Sequence, residues 1–469
     1  MKKFYILLLP ILCAQIGWAQ IEQVFDINEG EGNSSPNNLF VFGSAIYFGA
    51  DDSGGTNSPG DEDLGRELWK SDGTAAGTSF VSNLRTGDAG SSPGNFFEYN
   101  GSLYFSANSG SGSVLFSSDG TTAGTAATGD GFVFNPTPLD GLIYFVDTTT
   151  GNSLNQFNGT SSALVAGSGS ESLIGATMIA YQDKIFCYMD EATDEPTIGR
   201  ELYAYDPAID SFNLIKDITE SNEDSGISNF TILGTNLYFE ALGKLWKTDG
   251  TTAGTLAVAA AEAEGIDAIN NFYAWNGKLF FEGDNGSDDQ LWIYDPTLDT
   301  VTNVSNVTGN HDPSDFAPLG DFLYYSGKVE GDTESYLFRT DGAITVRLDS
   351  DIFGIDDIVA LDGVLYFEAE NTVIGRELFK LDPTTLTVSN AIVLAKSVSI
   401  YPNPATSVLN LKSASNFDFK YSIIDINGRE LQSGNVVNKQ ISIDLATGLY
   451  ILQLKAEKQP LVLKKIIIE

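Results

Sequence analysis

Apolar residues along this chain fall in runs of strand length, broken by short polar turns, and the arrangement recurs eight times. Each unit holds a Leu- or Ile-initiated pair whose second residue is aromatic: Tyr47, Tyr104, Tyr144, Phe186, Tyr238, Phe280, Tyr324 and Tyr366. The 319 residues from Tyr47 to Tyr366 span seven intervals of roughly 46 residues each, a propeller-like repeat length. Two-residue turns precede these anchors. Asn100-Gly101, Asp140-Gly141, Asn276-Gly277 and Asp362-Gly363 suit type I′ geometry, whereas Gly43-Ser44, Gly234-Thr235 and Gly320-Asp321 suit type II′. Only Gln182-Asp183 departs from both patterns. The strand leaving each turn is apolar on both faces, as in Leu103-Tyr104-Phe105, so it is expected to be covered on both sides.

A second anchor follows at Leu68, Leu115, Leu154, Leu202, Leu245, Leu291, Leu337 and Leu378. Four residues on stands Asp72, Asp119, Asn158, Asp206, Asp249, Asp295, Asp341 or Asp382. An Asp or Asn there caps a turn by accepting backbone N–H groups, and Gly or Pro completes it. Four strands per unit without a helical period predict an all-β chain: an eight-bladed β-propeller over residues 20–392, then a small C-terminal β-sandwich over 397–469. Gln23–Ile27 reads as a fourth strand lacking its three predecessors, placed to close the ring on the last blade. Thr385–Val388 competes for that position, and the third unit, without its aromatic anchor, is expected to be the least regular.

Residues 1–19 read as a secretory signal, with Lys2 and Lys3 before an apolar stretch too short to span a bilayer and a small-x-small site at Gly17-Trp18-Ala19. Leu12 before Cys13 argues against a lipid anchor, and no other segment has transmembrane length. Removal of the signal leaves Cys187 alone, which excludes an intramolecular disulfide and predicts a buried, inert thiol.

Net charge is −38. Residues 397–469 carry eight Lys/Arg against six Asp/Glu, and the signal carries two lysines, which leaves −42 on the repeat region. A field of that size excludes nucleic acid and anionic membranes as partners and favours solubility, cations or neutral sugars.

The block Glu67-Leu68-Trp69-Lys70-Ser71-Asp72-Gly73-Thr74-Ala75-Ala76-Gly77-Thr78, echoed at Leu115–Thr125 and Leu245–Thr255, resembles the ELWxxDGT repeat of exported bacterial proteins. That resemblance implies a propeller and no particular activity. The Tyr401-Pro402-Asn403-Pro404 opening, Gly448-Leu449-Tyr450 and the tail Lys464-Lys465-Ile466-Ile467-Ile468 resemble the type A sorting domain of the type IX secretion system of Bacteroidetes. This second resemblance implies recognition by the type IX machinery and delivery to the cell surface or the medium.

Chain direction places the two-residue hairpins and the Asp-Gly-Thr turns on one face of the ring. The longer, more acidic loops lie on the other, where a binding surface is expected. The first such loop holds Asp51, Asp52, Asp61, Glu62 and Asp63, five acids in thirteen residues. Clustered oxygens suit a hard cation, so these five are the candidate calcium ligands, although no alternating Asp loop is present. The counterparts of Asp72 read as turn formers. Glu67, Glu201 and Glu377, each in Gly-Arg-Glu-Leu, read as partners of their own Arg or of a neighbouring blade. His311, the only histidine, lies in the interblade sequence His311-Asp312-Pro313 without a nucleophile motif. Zinc sites of His and Cys are excluded by count. Two functions remain: a secreted or surface-displayed binding, adhesion or structural module contacting glycan, protein or matrix, or an extracellular carbohydrate-active enzyme with an acidic pair on the variable-loop face.

Overall fold

A computed structural model of the protein describes residues 21–52, 57, 63–131, 133–147, 151–165, 173–190, 198–286, 288–305, 307–348, 351–386, 398–413, 419–424, 429–455 and 462–469. The expected signal at residues 1–19 lies outside them. The chain forms two compact units, and among the described residues no helix is long and apolar enough to cross a membrane.

In the larger unit, Ile21–Leu381, eight four-stranded antiparallel sheets follow one another in chain order. The first blade consists of Asn37–Phe42, Ala45–Ala50, Glu67–Ser71 and Ser79–Ser82. The innermost strand of each blade lies beside that of the next. Phe353–Leu361 of the eighth lies beside Asn37–Phe42 of the first, so the ring is closed. The eighth sheet takes its outer strand from the N-terminus: Ile21–Phe25 pairs antiparallel with Glu377–Leu381. The competing segment begins instead as a 3-10 turn, Pro383–Leu386, and Thr387 and Val388 lie outside the described residues.

The hairpin chemistry acts as the sequence specifies. Asn100 and Gly101 sit at φ 51° and 75°, and Gly43 and Gly234 at 60° and 63°. Gln182 and Asp183, off pattern in sequence, adopt φ 52° and 58°, the same double left-handed turn as Asn-Gly. The Gln182 amide holds it by donating to the Tyr181 hydroxyl and to the Asp249 carbonyl. The third blade is regular in its inner pairings (Ile143–Asp147 against Ser153–Phe157), contrary to expectation. The shortest outer strands are Ala126–Ala127 and Leu256–Ala257, in the second and fifth blades.

Each apolar cluster joins neighbouring blades. Tyr47, Leu68 and Val81 of the first pack with Leu103, Phe105 and Phe116 of the second. Val24, Leu361 and Tyr366 at the seam pack with Leu39, Phe48 and Trp69 of the first. Leu103 and Phe105 are fully buried and Tyr104 nearly so, which is the two-sided burial that their unbroken apolar run required.

The Gly-Arg-Glu-Leu glutamates serve as pegs, and their hydrogen-bond partners are backbone amides and hydroxyls, not the side chains of their own arginines. Glu67 accepts hydrogen bonds from the Leu84 and Arg85 amides and the Ser91 hydroxyl. Glu201 accepts from the Ile218 and Thr219 amides. Glu377 accepts from the Ile27, Asn28 and Ser34 amides and the Ser34 hydroxyl. The equivalence of these partners identifies Ile21–Phe25 as the displaced fourth strand of the last blade. Arg66 instead donates to the Ser35 and Gly49 carbonyls.

The smaller unit, described from Asp382, carries a three-stranded sheet (Val398–Tyr401, Val408–Ser413, Gln440–Ser442) and a four-stranded sheet. The latter runs in the order Glu430–Asn435, Lys420–Ile424, Gly448–Lys455, Val462–Ile468. Leu409, Leu411 and Ile441 from the first and Ile423, Leu452, Leu454 and Ile466 from the second are buried, as a sandwich core requires. Asn403 clamps the last strand. Its amide donates to the Lys465 carbonyl at 2.9 Å and its side-chain oxygen accepts from the Ile467 amide at 2.8 Å. The side chain thus takes the place of a neighbouring strand on that edge.

Candidate functional site

On the hairpin face, polar side chains are engaged in turns. The Asp72 carboxylate accepts from the Thr74 amide at 2.9 Å and the Thr74 hydroxyl at 2.7 Å. That hydroxyl accepts from the Gly77 amide. Asp119 with Thr121 and Asp249 with Thr251 repeat the arrangement. The threonine hydroxyl bond holds each of these carboxyls below its ordinary value. These aspartates form turns, as expected.

The opposite face is built differently. Seven innermost strands carry an Asn or Asp in the left-handed region four residues before their end: Asn38, Asn95, Asn135, Asn229, Asn271, Asp315 and Asp357. Each lies at a break in register, so the strand bulges and turns its polar side chain out of the ladder. The second strands add Glu240, Glu282 and Glu368, each two residues beyond the aromatic anchor. Burial raises all three, Glu282 and Glu368 to about 7.

Around Glu282 three carboxylates converge. Glu282 lies on the second strand of the sixth blade, Asp289 opens its third strand, and Asp312 lies on the loop to the seventh. One oxygen from each lies within 4.8 Å of the others. The Asn271 amide donates to Glu282 at 2.7 Å, which ties the bulge to the cluster. Lys328 pairs with Asp312 at 2.7 Å, and that bond holds the ammonium above its ordinary value. Asp289 is raised by burial first, then by the charge of Asp312 and by a hydrogen bond with its carboxyl. Beside the cluster opens a cleft of about 250 Å³, lined by Asn310, Asp312, Lys328, Val329, Glu330 and Thr333 among others, none of them aromatic. Three oxygens at such separations are the donor set a hard divalent cation takes, with Lys328 the resident counter-charge.

His311 positions this group, and it is not the solvent-facing loop residue that its polar neighbours imply. It is fully buried. Nδ1 lies 2.7 Å from the Lys328 carbonyl and Nε2 2.9 Å from the Tyr325 hydroxyl, with Tyr325 and Phe338 edge-on to the ring. A carbonyl only accepts, so Nδ1 carries the proton and Nε2 accepts from Tyr325. Burial lowers the imidazole to about 4, and it stays neutral. Its backbone amide donates to the Asp289 carbonyl, and its carbonyl accepts from the Lys328 amide. The ring needs a glycine beside it, since a Cβ on Gly327 would lie 2.7 Å from the imidazole.

Of the five sequence-derived calcium candidates, Asp61 and Glu62 lie outside the described residues. Asp52 is buried, Asp51 is half-buried, and the exposed Asp63 accepts from the Gly65 amide. Among the described residues, three carboxylates that converge are Glu282, Asp289 and Asp312. Cys187 is buried as expected.

Residues 399–469 match the family described as a secretion system C-terminal sorting domain. The tail marks the chain for export by the type IX route, to the cell surface or into the medium. No curated protein matches the sequence. Among solved structures, the chain is similar to PorZ, an essential bacterial surface component of the type-IX secretion system of Porphyromonas gingivalis. Identity is 13% and TM-score 0.38, with 91% of this chain and 64% of PorZ covered, so the chain spans under two thirds of that protein. The β-propeller domain of the Trilobed protease from Pyrococcus furiosus is 11% identical (TM-score 0.42; 68% of this chain, 99% of that one). The Dos1 propeller is 12% identical (TM-score 0.45; 78% and 96%).

Proposed function

We propose that this chain is an exported binding module that holds an extracellular glycan or protein on the variable-loop face of its propeller. The observation that carries this reading is the contrast between the two faces. The hairpin face uses its aspartates to close turns, whereas the opposite face brings Glu282, Asp289, Asp312 and Lys328 together beside an open cleft. The large negative charge favours neutral or cationic ligands. Glycoside cleavage would use two carboxyl groups, one acid and one base or nucleophile, flanking the scissile bond. Here Asp312, the member of the cluster that lines the cleft, is already paired with Lys328. Binding is therefore the better reading.

The test is a glycan and matrix-protein array probed with the purified chain, with and without calcium. Binding should fall in an Asp312→Asn, Lys328→Met double variant and persist in Asp119→Asn, which alters only the hairpin face. Polysaccharide cleavage without retention, or retention unaffected by the double variant, would defeat the proposal.

A further inference from the structure

The outer face of the four-stranded sheet in the smaller unit breaks the rule that a sandwich keeps its outer faces polar. Leu452 and Leu454 point inward and are buried, so Leu449, Ile451, Gln453 and Lys455 point outward. In register beside them, Ile467 stands opposite Leu449, Ile424 and Lys465 stand on either side of Ile451, Ser422 is opposite Gln453, and Lys420 is opposite Lys455. The outer face therefore runs from an apolar end (Ile424, Leu449, Ile451, Ile467) through a mixed row, in which Gln453 stands between Ser422 and Leu463, to a basic end. Leu449 is 45% and Ile467 38% exposed. Ile209 and Leu298 of the propeller are exposed singly at turn tips, and Leu214 and Ile232 singly on strands, and these need no explanation. Four adjacent on one sheet face do.

The lysines indicate what covers this face. Lys420 and Lys455 are directly opposite and both exposed, a like-charge pairing that a sheet does not favour on its own. Neither they nor Lys465 form an ion pair among the described residues. In a chain of net charge −38, an apolar patch with Lys465 beside it and a lysine pair at the far end of the same face is complementary to a surface of opposite character.

We propose that this outer face is the surface by which the tail docks on the export machinery, against an apolar partner patch rimmed with carboxylates. The inference rests on the export role of residues 399–469 and names the side chains that would be read. The inward face is unavailable because it is the sandwich core, and the edge of the final strand is already occupied by Asn403.

The full chain is to be expressed in a bacterium with type IX secretion, and surface-plus-medium protein compared with periplasmic protein. Leu449→Ser, Ile451→Ser and Ile467→Ser together should lower export about tenfold or more, the loss of a central anchor cluster. Lys420→Glu with Lys455→Glu should do the same while leaving every apolar contact intact. This second variant decides the matter if the first proves unfolded by protease sensitivity of the purified chain. Undiminished export of both variants, with export lost on deleting residues 399–469, overturns the docking face and leaves the sorting role standing. Undiminished export of the deletion removes the premise itself. Self-association of the parent that the triple variant abolishes would make this face an interface between copies, which also overturns the proposal.

Discussion

The buried imidazole of His311 sets a measurable acid limit on the propeller. Its folded-state value of about 4 lies well below the ordinary 6.5, because burial penalises the charged ring. Below 6.5 the unfolded chain takes up a proton that the folded chain refuses, so the stabilisation is complete above 6.5 and is gone once the pH passes below 4. A difference of about 2.5 units at 1.36 kcal/mol each amounts to about 3 kcal/mol. For the larger unit, whose unfolding entropy scales with some 360 residues, that is about 4 °C in Tm.

His311 is the sole histidine, but carboxyls raised to about 7 (Glu67, Glu282, Glu368 and Glu377) titrate in the opposite sense. Their contribution is present below the unfolded carboxyl value and is lost as pH rises through 7. The parent curve alone therefore mixes both. The assay is the difference in Tm of the propeller transition between the parent and His311→Gln, measured from pH 7.5 to pH 4. The gap should shrink by about 4 °C towards pH 4. Tyr325→Phe keeps the ring but removes the hydroxyl that donates to Nε2, so its inflection should move up in pH. Parallel curves for parent and His311→Gln would refute the assignment of a buried neutral imidazole.

Glu377→Ala strips the acceptor from four donors at the ring seam and should cost about 3–5 kcal/mol. Limited proteolysis should then cut first between residues 26 and 35, whereas Glu201→Ala, the same peg within the ring, should leave that segment protected. Gly327→Ala drives a methyl into an imidazole pinned at both nitrogens, and chemical denaturation should show a loss of about 1–3 kcal/mol. Asn403→Ala frees the edge of the final strand, so hydrogen exchange of the Ile467 amide should accelerate about five- to tenfold while the propeller is unchanged.

Features repeated at fixed offsets were legible in the sequence. The Asn-Gly and Gly-Ser hairpins, the Asp72-type turns and the orphan strand near Val24 each stand where local chemistry puts them. The bulge residues were legible in principle, since Asn or Asp precedes the end of seven innermost strands by four residues. A polar residue inside an apolar strand reads as a defect until the bulge shows its use. The Glu282, Asp289 and Asp312 group was not legible. Its members come from a strand, a strand start and an interblade loop, and only the approach of the sixth and seventh blades brings them together. The interblade position of His311 was legible and its burial was not, because its sequence neighbours Asn310 and Asp312 say nothing of Tyr325 and Phe338, which close over the ring. The acidity of the Asp51–Asp63 loop is legible as a local density of charge, and Asp61 and Glu62 lie outside the described residues.

The pegs also bear on why this scaffold carries variation on one face. Glu67 holds the start of the following interblade loop through the Leu84 and Arg85 amides and its end through Ser91, and Glu377 holds the same two points at the seam. These two interblade loops are thus each fixed at both ends by one buried glutamate on the third strand. The loops between second and third strands lie apart from these pegs and touch the neighbouring loops at single points, as Asn57 does in donating to the Asp26 and Ile27 carbonyls, so their length can change without loosening a peg. The Asp51–Asp63 loop spans that free connection in the first blade, and Asp284–Asp289 spans it in the sixth, where it delivers Asp289 to the cluster. Chemistry that differs from blade to blade therefore accumulates where the fold does not depend on it, which is why a ligand is to be sought on that face.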